Sequence, residues 1–399
     1  MTPLPVNSPT TGKIHVLILT DEMEVGGTQR QIVHLACALD RARYEVTVAY
    51  FCNRSFLADE LITAGIPVIE ITKKRRVDFG FMNQLVQFLR KERFDIIHCF
   101  AFSAELWGAL GRRLLPASSR PALITSVRGK YDWYSPYQWR IKRWTALQSS
   151  KIIANSHAGG EFARVKMRLP QGAIEIVYNG VAKMVASIEK KELHRNSAAA
   201  ARRPITALYV GRLVEVKNIP VLLRAMKKLV DGDTKMQLLI AGDGPLRERL
   251  LDQISQLNLT KHVELLGQRA DTQALMAAAD FLVLPSFWEG LSNVILESMM
   301  AGTPVIASAV GGSLELVENH QTGLLFASDS DTELADAMKR LATDMVLRSR
   351  LGKAAQERVV EQFSIAAMVS KMQDLYAQTV ADHRLAYSFT TELKKAKKE

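Results

Sequence analysis

Several polar residues stand where an apolar, β-branched run stops and a helix-period segment begins. Arg212 and Lys217 lie five apart in Val210–Asn218, a segment that leaves one such run and enters a helix. Around a helix start both can converge on one diphosphate, Arg as a fork and Lys as a point charge; the alternative is two solvated surface charges. Glu289 and Glu297 belong to a second segment, Pro285–Glu297. Here a strand ends in a Pro-Ser bend, Glu289 sits in the loop, Gly290 permits a tight turn, and Ser292 or Asn293 can cap the helix that follows. Glu297 falls about one turn inside that helix. A helix start offers backbone N–H groups to phosphate, and a carboxylate that accepts from two hydroxyls is suited to ribose or hexose. A surface helix carboxylate is the other reading of Glu297, but Val294, Ile295, Leu296, Met299 and Met300 leave it little polar face.

Two glycine segments have the same strand-to-helix setting. Gly26-Gly27 follows the first apolar run, and its missing side chains let backbone approach a ligand. It lacks the GxGxxG spacing of a dinucleotide site. Ala241-Gly242-Asp243-Gly244-Pro245 reads either as small residues lining a ligand floor or as a structural turn. His98 ends another run, as a core histidine or as an imidazole near the chemistry.

These segments need a scaffold that brings strand ends together. Strand-like runs are Ile14–Thr20, Glu45–Phe51, Val68–Ile71, Asp95–Phe100, Ala122–Val127, Lys151–Ala154 and Ile174–Tyr178, then Thr206–Val210, Met236–Ala241, Val263–Leu266, Phe281–Pro285 and Pro304–Ala307. Helix-period segments such as Gln29–Leu39, Phe81–Arg90, Ile219–Leu229 and Asn293–Met300 lie between them. This alternation predicts an α/β protein with two doubly wound, Rossmann-like parallel-sheet domains in series. A length of 399 residues also exceeds what one core usually supports. The expected domains are 13–178 plus 365–382, and 179–364, divided at the Asn179-Gly180 turn. Residues 182–203 read as a linker or frayed helix, and 383–399 as a basic tail.

The net charge of +11 is unevenly placed. Residues 1–178 hold 24 Lys+Arg against 15 Asp+Glu, so the first half carries +9 of it. That suits an anionic partner such as a membrane surface, a phosphorylated acceptor or nucleic acid. No helix-turn-helix, zinc or RNP-type signature is present, so nucleic acid is not the expected partner. Residues 131–144, rich in aromatics and cations, read as a membrane-facing segment or as a helix packing Tyr137, Ile141 and Trp144 inward. Cys37, Cys52 and Cys99 read as reduced, buried thiols. No secretory signal and no apolar run of membrane-spanning length is seen, so the expected location is cytoplasmic, with peripheral contact on an anionic membrane. Asp231-Gly232-Asp233 reads as a turn and Asp329-Ser330-Asp331 as a helix cap.

Taken in order, the glycine pair at Gly26-Gly27, the strand ending in His98, IIANS at 152–156, VYNGV at 177–181, GR…KN through Arg212 and Asn218, AGDGP at 241–245 and E-x7-E from Glu289 to Glu297 resemble the family 4 glycosyltransferases, retaining enzymes of the GT-B fold. The resemblance spans roughly residues 13–382. It implies a nucleotide-sugar donor, UDP- or GDP-linked, held in a cleft between the domains, and a saccharide or lipid-linked acceptor of cell-surface polysaccharide or lipopolysaccharide synthesis. It implies catalytic roles for Arg212 and Lys217, which neutralise the leaving diphosphate, and for Glu289, which holds the transferred sugar. Donor contacts are implied at Gly26, Gly27, Gly242, Gly290, Leu291, Ser292 and Asn293, with Glu297 on the ribose. No cofactor or metal is expected. A C-terminal helix near Ser364–Val380 is implied to return to the first domain. One departure is Arg128, which stands where many members carry a histidine. Arginine cannot serve as a general base at neutral pH, so the position, with His98, is expected to contact acceptor or sugar. A nucleotide-sugar epimerase or a non-catalytic binding protein of the same fold is the competing reading.

Overall fold

A computed structural model describes residues 12–75, 77–183 and 204–396, with side chains as far as Tyr387. Most of the 182–203 segment lies outside the described residues. The chain forms two compact units, one of residues 1–180 with 365–399 and one of residues 181–364.

The first unit holds a seven-stranded parallel sheet. Its strands are β1 (Ile14–Met23), β2 (Tyr44–Arg54), β3 (Val68–Glu70), β4 (Ile96–Cys99), β5 (Ala122–Val127), β6 (Lys151–Ala154) and β7 (Glu175–Ile176), in the order β3-β2-β1-β4-β5-β6-β7. Helices cover both faces. The period-two geometry of β1 sends Val16 and Ile18 into one core and Leu17 and Leu19 into the other, which is why the strand reads as an unbroken apolar run.

The second unit holds a six-stranded parallel sheet of β8 (Ile205–Val210), β9 (Met236–Ala241), β10 (Val263–Gly267), β11 (Phe281–Leu284), β12 (Val305–Ser308) and β13 (Gly323–Phe326), in the order β10-β9-β8-β11-β12-β13. The Ile219–Asp231 helix shows how local sequence sets an element. Buried Ile219, Leu222, Leu223, Met226 and Leu229 recur at helical spacing, Pro220 sits in the first turn, and Gly232 follows the end.

The structure corrects several expectations. β13 has no counterpart among the predicted strands. The last helix does not give way to a tail after 382 but runs from Ile365 to Ala396; Arg384 reaches Asp95 at 3.0 Å, and His383 Nε2 lies 2.8 Å from the Arg120 carbonyl. Cys52 is exposed, not buried, because β2 extends past its core-facing stretch. The Pro136–Gln148 helix faces inward through Trp139, Lys142, Thr145 and Ala146, while Tyr137 is 64 % exposed. Lys142 can be buried because Glu105 meets it at 2.6 and 2.7 Å, a partner that no local pattern reveals. The two Asp-containing segments behave as read. Asp233 adopts φ 55° in a turn after Gly232, and Ser330 caps the Asp331–Thr343 helix by accepting from the Glu333 amide.

Candidate functional site

Open parallel sheets bind ligands beyond the carboxyl ends of their strands, at the point where strand order reverses. In the second unit the chain winds from β8 outward to β9 and β10, then returns to lay β11, β12 and β13 on the other side. The reversal therefore falls between β8 and β11, and the candidate charges stand on the loops that leave these two strands.

Lys217 belongs to a short 3-10 turn after β8, and its Nζ lies 2.6 Å from Glu289 Oε1 in the loop after β11. Ser286 Oγ donates to the same carboxylate oxygen at 2.5 Å. The side chains are 21 % and 9 % exposed, so this is a half-buried ion pair, held better than a solvated one. The Phe287 amide donates to the Val216 carbonyl at 2.9 Å and ties the two loops together through backbone as well. Asn218 adopts φ 47° and starts the Ile219–Asp231 helix, with its side-chain amide on Asp329. Arg212 is exposed on the same loop, and the Tyr209 hydroxyl donates to its carbonyl at 3.1 Å. Burial pushes the Tyr209 phenol up, with the Glu289 charge adding to it, so this hydroxyl stays a donor.

Ser292 caps the Asn293–Met300 helix, its Oγ accepting from the Ile295 amide at 3.5 Å. Leu291 and Ser292 are buried, while Asn293 and Glu297 are partly exposed on the first and second turns. The structure thus brings Lys217 and Glu289 into contact and places Arg212, Ser292, Asn293 and Glu297 on the two loop-helix junctions beside them.

Neighbouring glycines hold these loops by close backbone contact. Gly242 has φ 144°, and a Cβ there would lie 1.9 Å from the Gly211 carbonyl oxygen. The Gly211 amide donates to Ala241 and the Leu213 amide to Asp243, so the AGDGP segment braces the Arg212 loop. This favours the structural reading of Gly242. A further pair, Gly311-Gly312 after β12, went unnoticed in the sequence. A Cβ on Gly312 would fall 1.5 Å from the Gly290 carbonyl oxygen, and the Gly312 amide donates to the Glu289 carbonyl at 3.0 Å. The signal was available, since a strand, two glycines and a helix repeat the pattern of Gly26-Gly27. Ser286, which orients Glu289, was the other residue missed.

In the first unit the reversal falls between β1 and β4. Gly26 and Gly27 stand at the start of the Gly27–Ala38 helix, after β1. Asp21 bridges the reversal, accepting from the Ser103 and Ala104 amides at 3.2 and 2.5 Å, and burial raises its carboxyl. His98 is fully buried in β4, with Nδ1 2.7 Å from Tyr376 Oη and Nε2 2.8 Å from Ser126 Oγ. Burial, reinforced by the charge of Arg128, holds its imidazole well below the ordinary value. Both ring nitrogens of His98 thus have protein partners, which supports the core-histidine reading of this position.

Arg128 follows β5. Its Nη1 donates to Asn179 Oδ1 at 3.1 Å, its guanidinium lies 4.5 Å from the Phe100 ring centre, and its Nε is buried with no hydrogen-bond acceptor among the described residues. No carboxylate of the described residues pairs with it. Burial brings its pKa down to about 10, which leaves it charged at neutral pH. Arg128 is thus a half-buried cation of the first unit without a protein anion among the described residues, and in the second unit Arg247, just after the AGDGP segment, likewise has a buried Nη1 with no partner among the described residues.

Comparison with known proteins agrees with this geometry. Residues 25–183 match the family model "Glycosyltransferase Family 4", and residues 190–358 match "Glycosyl transferases group 1". The chain is 27 % identical, over 90 % of its length and 95 % of the relative's, to the Escherichia coli UDP-Gal:alpha-D-GlcNAc-diphosphoundecaprenol alpha-1,3-galactosyltransferase. It is 26 % identical, over 89 % of its length and 96 % of the relative's, to the lipopolysaccharide core biosynthesis glycosyltransferase LpsD of Rhizobium meliloti. Among solved structures, Anabaena HepE in complex with UDP superposes with a TM-score of 0.79 at 23 % identity, covering 92 % of this chain and all of HepE. With both halves matched in order and the two reversal points furnished as described, the chain belongs to the family 4 glycosyltransferases of the GT-B fold and is a sugar-transferring enzyme.

Proposed function

We propose that this enzyme is a retaining glycosyltransferase that moves a sugar from a nucleoside-diphosphate donor onto a saccharide or lipid-linked acceptor during cell-surface polysaccharide or lipopolysaccharide assembly. The observation that carries the reading is the Lys217–Glu289 pair across the β8/β11 reversal. A cation there meets a leaving diphosphate, and a carboxylate beside it accepts from the hydroxyls of the departing sugar. Arg212 supplies the second cation, so the diphosphate charge is met by side chains with no metal called for. The amides near Leu291, Ser292 and Asn293 take phosphate oxygens, Glu297 takes the ribose hydroxyls, Gly26, Gly27 and Gly290 let backbone close on the donor, and Gly242 serves indirectly by bracing the Arg212 loop. Arg128, lacking a protein counter-charge, binds an anionic group of the acceptor or donor. Substitution then proceeds on one face of the sugar, with the leaving phosphate as base toward the acceptor hydroxyl.

UDP is favoured as the nucleotide, because the E. coli relative is named for UDP-Gal and HepE was solved with UDP. The same relative is named for a diphosphoundecaprenol acceptor, which favours a lipid-borne diphosphate here and work at the cytoplasmic face of a membrane. A thermal-shift screen of UDP- and GDP-sugars identifies the donor as the one that raises Tm. Product analysis then reads the anomeric configuration. Lys217→Ala and Glu297→Ala remove most turnover while the fold survives. Near-normal turnover in both purified variants sinks the assignment, and donor isomerisation without acceptor replaces it with an epimerase.

A further inference from the structure

The first half carries most of the surplus positive charge, and the transfer chemistry uses little of it. The loop leaving β3 is where much of it surfaces. Lys74 and Arg75 are exposed and Lys73 is half-buried, its ammonium 5.8 Å from the Trp107 ring centre. Beside them Val77, Phe79 and Leu114 stand 63 %, 85 % and 56 % exposed around a groove of about 400 Å³ floored by Met82 and Trp107, with Arg113 on its rim. Folded proteins seldom leave three large apolar side chains exposed around one groove without a use. The loop is also braced. Asp78 caps the Phe79–Glu92 helix through the Phe81 amide at 3.0 Å and accepts from the Lys74 amide at 3.1 Å, which fixes cations and apolar tips on one ridge.

The geometry points to this ridge as the surface by which the enzyme docks on an anionic lipid bilayer, with Val77, Phe79 and Leu114 entering the interface and Lys73, Lys74, Arg75 and Arg113 meeting lipid phosphates. Mixed apolar tips and cations complement an anionic interface. A second copy fits worse, since a two-fold interface would set these cations against their own copies. The Lys73–Phe79 part of this surface leaves the carboxyl edge of the sheet, the edge that also carries Gly26-Gly27 and Arg128, while Arg113 and Leu114 end the Phe102–Arg113 helix, which returns toward the opposite edge. β3 and β5 are four strand positions apart, about 19 Å, so a phosphorylated headgroup at the interface is within a short reach of Arg128. This surface rests on the membrane reading above and gives it an address.

The test is flotation of the full chain with vesicles of phosphatidylglycerol or of phosphatidylcholine, with no donor or acceptor present. The intact chain is expected to float with phosphatidylglycerol only, and less so at high salt. Phe79→Ser with Val77→Ser lowers partitioning at least tenfold, and Lys74→Ala with Arg75→Ala lowers it on the order of thirtyfold at low salt. The Tm of each variant stays within a few degrees, because the replaced side chains are exposed. No binding by the intact chain overturns the membrane reading itself. Binding that persists in both variants, or that is lost only when Lys394 and Lys395 are replaced, overturns this surface and leaves the membrane reading standing. A self-association seen by sedimentation equilibrium and broken by Phe79→Ser assigns the ridge to a second copy and overturns the proposal.

Discussion

Lys217 and Glu289, seventy-two positions apart, meet at 2.6 Å where the loops of β8 and β11 adjoin. The two charges form one ion pair, and on the proposed donor-binding role a diphosphate has to share Lys217 with Glu289. Lys217→Met and Glu289→Gln are each expected to lower kcat/KM by at least about a hundredfold. The double variant falls only slightly further, because either change breaks the same pair. Steady-state kinetics on the three proteins decides the point, and fully additive losses would show that the two residues act separately.

The glycines that brace the site differ in what they tolerate. In Gly312→Ala the new methyl would sit 1.5 Å from the Gly290 carbonyl oxygen, backbone that cannot yield cheaply. A loss of about 3 kcal/mol or more is expected in urea unfolding. In Gly26→Ala the methyl meets only the Gln29 side chain, its movable Oε1 end at 2.5 Å. Stability there should stay within about 1 kcal/mol of the parent protein. Equal losses in both variants would contradict the contact geometry.

Lys142 and Glu105 form a buried ion pair, 3 % and 1 % exposed, between two helices of the first unit. Burial raises the Glu105 carboxyl and the Lys142 charge opposes that rise. Lys142→Met leaves the carboxylate without its counter-charge and is expected to cost about 3–5 kcal/mol. Adding Glu105→Gln should return part of that loss, because no buried charge is then stranded. Chemical denaturation of both variants tests this, and a double variant weaker than the single one would refute it.

His98 makes folding sensitive to mild acid. Its folded pKa lies well below the ordinary 6.5, through burial first and the Arg128 charge second. The unfolded chain therefore binds the proton first as pH falls. Stability from the neutral imidazole is complete above about pH 6.5 and declines below it, by up to about 1.4 kcal/mol per pH unit while only the unfolded form is protonated. His98→Gln, compared with the parent between pH 7 and 5, should flatten that part of the stability profile. An unchanged slope would mean that His98 is already charged in the folded protein.

How far these features could be read from residues alone depends on how local their causes are. Ala122–Val127, Lys151–Ala154 and Met236–Ala241 form strands over the bounds their apolar runs indicate, because each is a buried central strand with turn residues on both sides. Asn293–Met300 is equally legible, through its Ser292 cap. Gly323–Phe326 escaped notice because four residues beginning in glycine carry little β signal; pairing with β12 makes them a strand. The inward face of Pro136–Gln148 was misjudged because Lys142 is buried only by virtue of Glu105, thirty-seven positions earlier. Arg212, Lys217, Glu289 and Glu297 were visible as charged residues at strand-to-helix junctions. Their contacts were not, since Ser286 and the Gly311-Gly312 loop act across strands.

The Ile365–Ala396 helix has a consequence for how the chain is made. Met368, Met372, Leu375, Tyr376 and Val380 complete a core begun by Val16 and Ile18, and Tyr376 is one of the two hydroxyls that satisfy buried His98. Every residue of the second unit therefore leaves the ribosome before the first has all its parts. The half translated first finishes folding last, and a nascent chain arrested before residue 365 exposes an incomplete apolar surface for chaperones to shield.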